Sequence, residues 1–386
     1  MANYLKPGVY VNEVQIAGKP ISPAETSRVA FIGHAEAGSL TKPQLINSFA
    51  DYQRVFLSTE QGRLTMPQAM THSVMAFFGN GGTSAYICLL TDNDYHRFYQ
   101  NVLSNYHDFS LIVLPGRHWG DAEGKAAIQA TLAFCQQVRR CMLLLDVPPG
   151  QQFHTTAAIT GLKLPSSGFA AVYYPWLMMA NPLYQATAKP GTARSFLVAP
   201  SAAAAAIYGK TDSIHGVWKA PAGVAARLTG VIGTEFAVDS HSQRQLNPLG
   251  INCIRTLARL GTVLWGARTL ASQSDAQWRY IPVKRMAIFL EQSIVQSLQW
   301  VVFEPNDQPL WQAVTFHISN FMLSLFRAGA LQGMTQKEAF FVRCGLNQTM
   351  TQQHIQRHQL VIVLGFAPVK PAEFVVINIT CQLNEP

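Results

Sequence analysis

The sequence predicts a mixed α/β fold built around a largely parallel sheet. Three observations lead there. Continuous apolar runs such as residues 28–33 (RVAFIG), 141–147 (CMLLLDV) and 168–174 (GFAAVYY) read as strands buried on both faces. Segments of helical period lie between them. Punctuation is regular: a Gly cluster at 79–82, Pro115-Gly116 and Pro148-Pro149 stop elements where the pattern changes.

In chain order, the strand at 28–33 is followed by a short helix over 49–56, capped by Asn47 or Ser48, and by a helix from Pro67 to Phe78. A strand follows at 84–90. The next elements are a strand at 108–114, a helix over 121–140 and a strand at 141–147. A helix around 155–162 and strands at 168–174 and 194–198 complete this part. An Ala-rich helix over 201–210 leads into the turn GVWKAPAG at 216–223. Residues 251–257 and 260–265 form a hairpin through Ala258 and Arg259. A long helix spans 285–303, ended by Pro305. The next is capped by Asn306 or Asp307, carries Pro309 in its first turn, and ends at Gly329. Strands at 340–344, 359–366 and 374–382 close the chain. In the last, Val375, Ile377, Ile379 and Cys381 alternate with more polar residues, the mark of a one-sided strand. A short strand at 9–14 (VYVNEV) stands apart at the other end. Each terminal strand must pair its backbone either within the chain or on a neighbour's sheet edge.

Composition narrows the function. Of the 386 residues, 48% are hydrophobic and only 13% are charged, against about 25% charged in ordinary soluble proteins. A surface this poor in charge is either one that neighbours cover or that of an unusually apolar monomer. No apolar run is long enough to span a bilayer, and the N-terminus lacks a secretory pattern, so the expected compartment is the cytoplasm, with release by a route such as lysis. Six scattered cysteines without a CxxC pair fit a reducing compartment and no structural disulfide. The net charge of +8 is spread out rather than gathered on one element, which favours a protein partner over nucleic acid.

Catalytic patterns fail in turn. Gly209-Lys210-Thr211 looks like the end of a phosphate loop, but position 204, where the earlier glycine belongs, is Ala. His354 and His358 have the spacing of a zinc helix without its Glu or a third ligand. The Gly79–Gly82 cluster precedes a strand, whereas phosphate loops precede a helix. Asp146 ends an apolar strand where a doubly wound enzyme could place a ligand group, and also where a Pro-rich turn begins. Tyr173, Tyr174 and Trp176 offer stacking surface, equally explained by a packed turn. Neither GxSxG nor GxGxxG after a strand is present. No catalytic, cofactor or metal residue is assigned.

Several blocks together resemble the contractile tail sheath proteins of phage tails, R-type pyocins and related injection particles. They are KPGVYVNEV (6–14), RVAFIGHAEAG (28–38), AAVYYPWL (170–177), FLVAPSAAAAAIYGKTDSIHGVWKAPAG (196–223), LNPLGINCIRTL (246–257), VLWGARTL (263–270), the helices of 284–304 and EAFFVRCG (338–345). The likeness spans the chain and is weakest over about 90–165. It implies a discontinuous core domain built from both chain ends, an inserted α/β portion and extended terminal arms. On that basis the chain divides into an arm (1–25), a first α/β part (26–90), an inserted portion (91–195), the sheath core (196–370) and a linking strand (371–386). The resemblance further implies linking strands carrying Val9, Tyr10, Val11, Val14, Phe374, Val375, Ile377 and Ile379. It implies stacked six-fold rings around an inner tube, with baseplate and tail-terminator proteins, and paralogous subunits, as partners. Arg327 and Lys337 are the candidates for facing the tube. Neither nucleic acid, membrane insertion nor cofactor is expected. The alternatives that composition leaves open are an α/β enzyme and a static shell protein.

Overall fold

A computed structural model of the chain describes residues 18–35, 42–57, 68–153, 155–180, 194–271, 275–369 and 375–383. The chain divides into two compact units. One, the body, comprises residues 23–292 and 368–375; the other gathers 1–22, 293–367 and 376–386.

The body is organised by an eight-stranded sheet. Its strands and helices run β1 (Val29–His34), β2 (Gln44–Ile46), α1 (Phe49–Tyr52), α2 (Gln68–Gly79), β3 (Ala85–Leu90), α3 (Tyr95–Asn101), β4 (Leu111–Val113), α4 (Ala122–Val138), β5 (Met142–Asp146), α5 (Thr156–Gly161) and β6 (Ala170–Tyr174). They continue with β7 (Leu177–Ala180), β8 (Ser195–Val198), α6 (Pro200–His215), β9 (Val231–Thr234), α7 (Ser240–Leu246), β10 (Ile251–Leu257), β11 (Gly261–Trp265) and α8 (Ile281–Ser297). Strand order is β11-β10-β6-β5-β4-β1-β3-β2. All pairs from β10 to β3 are parallel, and antiparallel β11 and β2 close the two edges. A second, three-stranded sheet has the order β8-β7-β9.

The continuous apolar strands are explained by cover on both faces. Val29 and Phe31 point into a core shared with α2 and α6, while Ala30 and Ile32 point into a core shared with α3 and α4. Ala202 to Ala206 of α6 are wholly buried. Five consecutive alanines bring the α6 backbone close to α2, β5 and β6. The Gly79–Gly82 cluster is a helix stop: Asn80 N–H donates to Ala76, its side chain accepts from Thr229 N at 2.7 Å, and Gly81 takes φ +95°.

Several boundaries shift for physical reasons. The helix expected over 49–56 is only α1 followed by a wide π turn, Gln53–Leu57, although Ser48 caps it as expected by accepting from Asp51 N. The Ala-rich helix runs on to His215 and stops at Gly216 with φ 88°, and Gly209 sits within it where a Cβ would meet Ser27 at 3.0 Å. The helix expected to start at 285 begins at Ile281, with Pro282 in its first turn, and gives way to a 3-10 turn, Gln299–Phe303. The hairpin β10–β11 turns through Leu260 as well, with Arg259 left-handed at φ 67°. Helices α3 and α7 and strands β2, β7 and β9 are additional to the elements expected from the sequence.

The expected division of the chain is also revised. Residues 91–195 are not a separate insertion, since β4, β5 and β6 sit in one sheet beside β1. Nor does the C-terminal unit begin at 196: β10 pairs in parallel with β6, so the boundary falls after Gln292, inside α8. Hydrogen bonds between strands distant in sequence decide this, and no local pattern reports them.

The second unit contains α9 (Gln308–Arg327), α10 (Gln336–Ala339), β12 (Phe340–Cys344), α11 (Gln352–Gln356), β13 (Gln359–Phe366) and all but the first residue of β14 (Val375–Gln382). Asp307 caps α9, accepting from Leu310 N at 3.1 Å. Asn306, the alternative cap, instead accepts from Trp311 Nε1 and donates to the Gln359 carbonyl. Leu310, Val314, Ile318, Phe321, Met322 and Leu325 form the buried face of α9.

Candidate functional site

The second unit joins both chain ends, and its sheet is where a neighbour could be reached. Its strand order is β12-β13-β14, with β12 and β13 antiparallel. Along β14, Val375, Ile377 and Ile379 are buried while Val376, Asn378 and Thr380 are exposed. The predicted alternation is therefore present, but the strand is not solitary: it lies beside β13 of its own chain. Leu383 N–H donates to the His358 carbonyl at 2.6 Å, and Gln382 Nε2 to that of Arg357 at 2.7 Å. Among the described residues β14 has no strand on its other side. Phe374 and the N-terminal positions Val9, Tyr10, Val11 and Val14 lie outside the described residues.

Arg327 and Lys337 are both exposed, one in the last turn of α9 and the other in α10. Neither makes an ion pair with a described residue. Between them Met334 is 91% exposed. The stretch also carries an acid: exposed Glu338, next to Lys337, accepts from Met334 N–H at 2.8 Å.

The positions tested for catalysis have structural occupations. Gly209, Lys210 and Thr211 lie within α6 rather than before it, and Thr211 Oγ1 donates to the Ile207 carbonyl at 2.7 Å. His354 belongs to the capping box of five-residue α11, while His358 falls beyond that helix at φ 53°, so the two do not share a helical face. Among the described residues no three His, Cys, Asp or Glu side chains are placed to hold a metal. Asp146 neither starts a solvated turn nor waits for a ligand. It is buried, and accepts from Ser201 N at 3.1 Å and from Ser201 Oγ at 2.6 Å, so it anchors the start of α6. Burial pushes its carboxyl up to about 7, against the pull of the two Ser201 donors. Tyr173 sits in the core, donating to Tyr208 Oη at 3.0 Å; Trp176 Nε1 donates to the Val147 carbonyl.

Two charged sites of the body carry no sequence signal, because their partners are remote. Arg285 and Asp212 form an ion pair with side chains 3% and 5% exposed, at 2.7 and 2.5 Å. Lys284, one residue away on α8, is 4% exposed, its Nζ 3.6 Å from the Phe169 ring centre and 4.2 Å from that of Trp278. Burial pushes its ammonium down to about 8. The described cysteines are all free; Cys135 and Cys141 Sγ are 3.6 Å apart, contact rather than bond. No described helix is long and apolar enough to cross a membrane.

Comparison with known proteins agrees with the resemblance. Residues 273–382 match the family model of the phage tail sheath C-terminal domain. The sheath of an extracellular contractile injection system, PVC, solved in its contracted state, is similar over 98% of each chain, with 30% identity and TM-score 0.77. The contracted helical sheath of the anti-feeding prophage is 32% identical, with TM-score 0.75 over 96% of this chain and 98% of that one. A sheath tail protein from Desulfitobacterium hafniense shares the fold at 11% identity, TM-score 0.64, over 97% and 100% of the two chains. No curated protein sequence matches the chain. With near-complete coverage at 30% identity or more, the chain belongs to the contractile tail sheath proteins, as a sheath subunit of a contractile injection system.

Proposed function

We propose that this subunit polymerises as stacked six-fold rings around an inner tube, and that its rearrangement from an extended to a contracted lattice drives the tube through a target membrane. The observation that carries the reading is the end-to-end likeness to subunits of contracted sheaths. Energy is stored at assembly and released as more surface is buried, so no nucleotide is needed. The subunit acts without catalysis, is assembled in the bacterial cytoplasm, and leaves the cell as part of a phage tail or tail-like particle. Baseplate and terminator proteins bound the sheath at its two ends.

Subunits are linked by their terminal strands. Residues 9–14 of one copy add to the sheet of the next. The strand with Phe374, Val375, Ile377 and Ile379 exchanges its place beside β13 for the same place in a neighbour. Such an exchange costs little in contacts, because the hydrogen bonds and buried side chains are the same in both arrangements. Backbone pairing also survives sliding, during which side-chain interfaces are replaced. Arg327 and Lys337 face an acidic tube surface through exposed ion pairs, each worth about 1 kcal/mol or less, so the contact breaks during firing.

Negative-stain electron microscopy of the purified chain, with and without its tube protein, tests the proposal. Six-fold cylinders, wider and shorter when the tube is absent, are expected. A single cylinder geometry under both conditions would identify a static shell instead, and dispersed monomers under both would refute polymerisation.

A further inference from the structure

The segment leading into β1 is held by more than its sequence demands. The Thr26 carbonyl accepts two side-chain hydrogen bonds, from Arg285 Nη2 at 2.8 Å and from Ser110 Oγ. Arg285 is itself fixed by both oxygens of Asp212, and its guanidinium lies 4.9 Å from the centre of the Tyr208 ring. Ser27 packs on Gly209 of α6, where a Cβ would meet it at 3.0 Å. The Arg28 side chain reaches Asp108 and Ser84, while its carbonyl accepts from Ser110 N and Leu111 N. Three consecutive residues are thus gripped from α6, α8 and the start of β4. Before them, residues 23–25 are without helix or strand.

A pair such as Arg285–Asp212 is a poor way to gain stability. Desolvating two ions offsets most of their attraction, and well-packed apolar residues in their place are often neutral or stabilising. What the pair supplies is direction: a planar fork locked by a carboxylate on one side aims its remaining donor at one backbone carbonyl. We propose that the Arg285–Asp212 pair, with Ser110, is the fixed root of the N-terminal arm, where pull from a neighbouring subunit enters the central sheet. This rests on the reading that residues 9–14 reach a neighbour. An extended segment without ladder bonds would otherwise peel residue by residue under tension until β1 itself opened. The grip on Thr26 stops the peeling three residues short of β1, and Arg285 is a positioning residue in that sense.

The test uses the full chain and the double substitution Arg285→Met with Asp212→Leu, which keeps the volume apolar while removing the fork. Hydrogen exchange over residues 23–28 in the free subunit should become at least tenfold faster, the loss of a charge-assisted bond. The urea midpoint should hold or rise. Sheaths formed with this variant should shed subunits on contraction where the unsubstituted ones stay intact. Unchanged exchange over 23–28 overturns the clamp by a measurement that needs no assembly, and so does a variant sheath as robust as the unsubstituted one. Should the double variant fail to fold, Ser110→Ala removes the second donor alone; unchanged exchange there would equally overturn the proposal. Normal sheaths after deletion of residues 1–14 would instead overturn the linking-arm reading and leave the local grip intact.

Discussion

Replacing Lys284 by Met should stabilise the body at neutral pH, by an amount that fades as the pH is raised. Burial, then repulsion from Arg139, lowers this ammonium from 10.5 to about 8, while Glu291 and Asp275 pull the other way. At about 1.4 kcal/mol per unit, holding the charge costs on the order of 3 kcal/mol at pH 7. The Phe169 and Trp278 rings return about 1–2 kcal/mol of that through cation–π attraction. Methionine fills a similar volume without a charge, so the net gain is about 1–2 kcal/mol. The sign follows from proton binding. Between pH 8 and 10.5 the unfolded chain holds a proton that the folded one has released, so native stability rises through that window. The penalty is therefore complete below pH 8, and the advantage of Lys284→Met shrinks towards pH 10. Urea unfolding of both proteins at pH 7, 8.5 and 10 measures it. An advantage that is absent at pH 7, or that persists undiminished at pH 10, would refute the argument from desolvation.

Ser201→Ala should cost about 1–3 kcal/mol by urea denaturation, since it leaves one oxygen of the buried Asp146 carboxyl without its 2.6 Å donor; an unchanged midpoint would show that α6 does not depend on this anchor. Deleting residues 1–14 should leave a folded subunit that forms no contractile sheath, as judged by circular dichroism and electron microscopy together; normal contraction would remove the linking strands from the mechanism. Neutralising Arg327 and Lys337 together should weaken tube binding and flatten its dependence on salt, because exposed ion pairs are screened. Binding with the original affinity and salt slope would move the tube contact elsewhere on the unit.

The family and most elements were legible in the chain itself. The runs RVAFIG, CMLLLDV and GFAAVYY are continuous because β1, β5 and β6 are covered on both faces, and that burial is written residue by residue. Caps and breakers are local too, as Ser48, Asp307 and the Gly79–Gly82 cluster illustrate. The alternation of 375–382 likewise identified which residues of β14 face inward, though not which strand it joins. Partnership over distance was decided only by tertiary structure. Helical spacing points to 285 for the start of α8 although Pro282 marks Ile281, and nothing local reports that β10 returns to β6 across 76 residues of intervening chain. Asp146 reads identically as a ligand group or a turn residue until the start of α6 is seen to sit on it. Arg285 and Asp212 are 73 positions apart, and their sequence neighbourhoods differ in nothing from those of solvated charges. Local sequence determines the backbone conformation and burial period of a segment, because those depend on the side chains within a few residues. Which strand, carbonyl or counter-ion it meets depends on how the whole chain closes, a sum of many weak contacts that only the folded structure resolves.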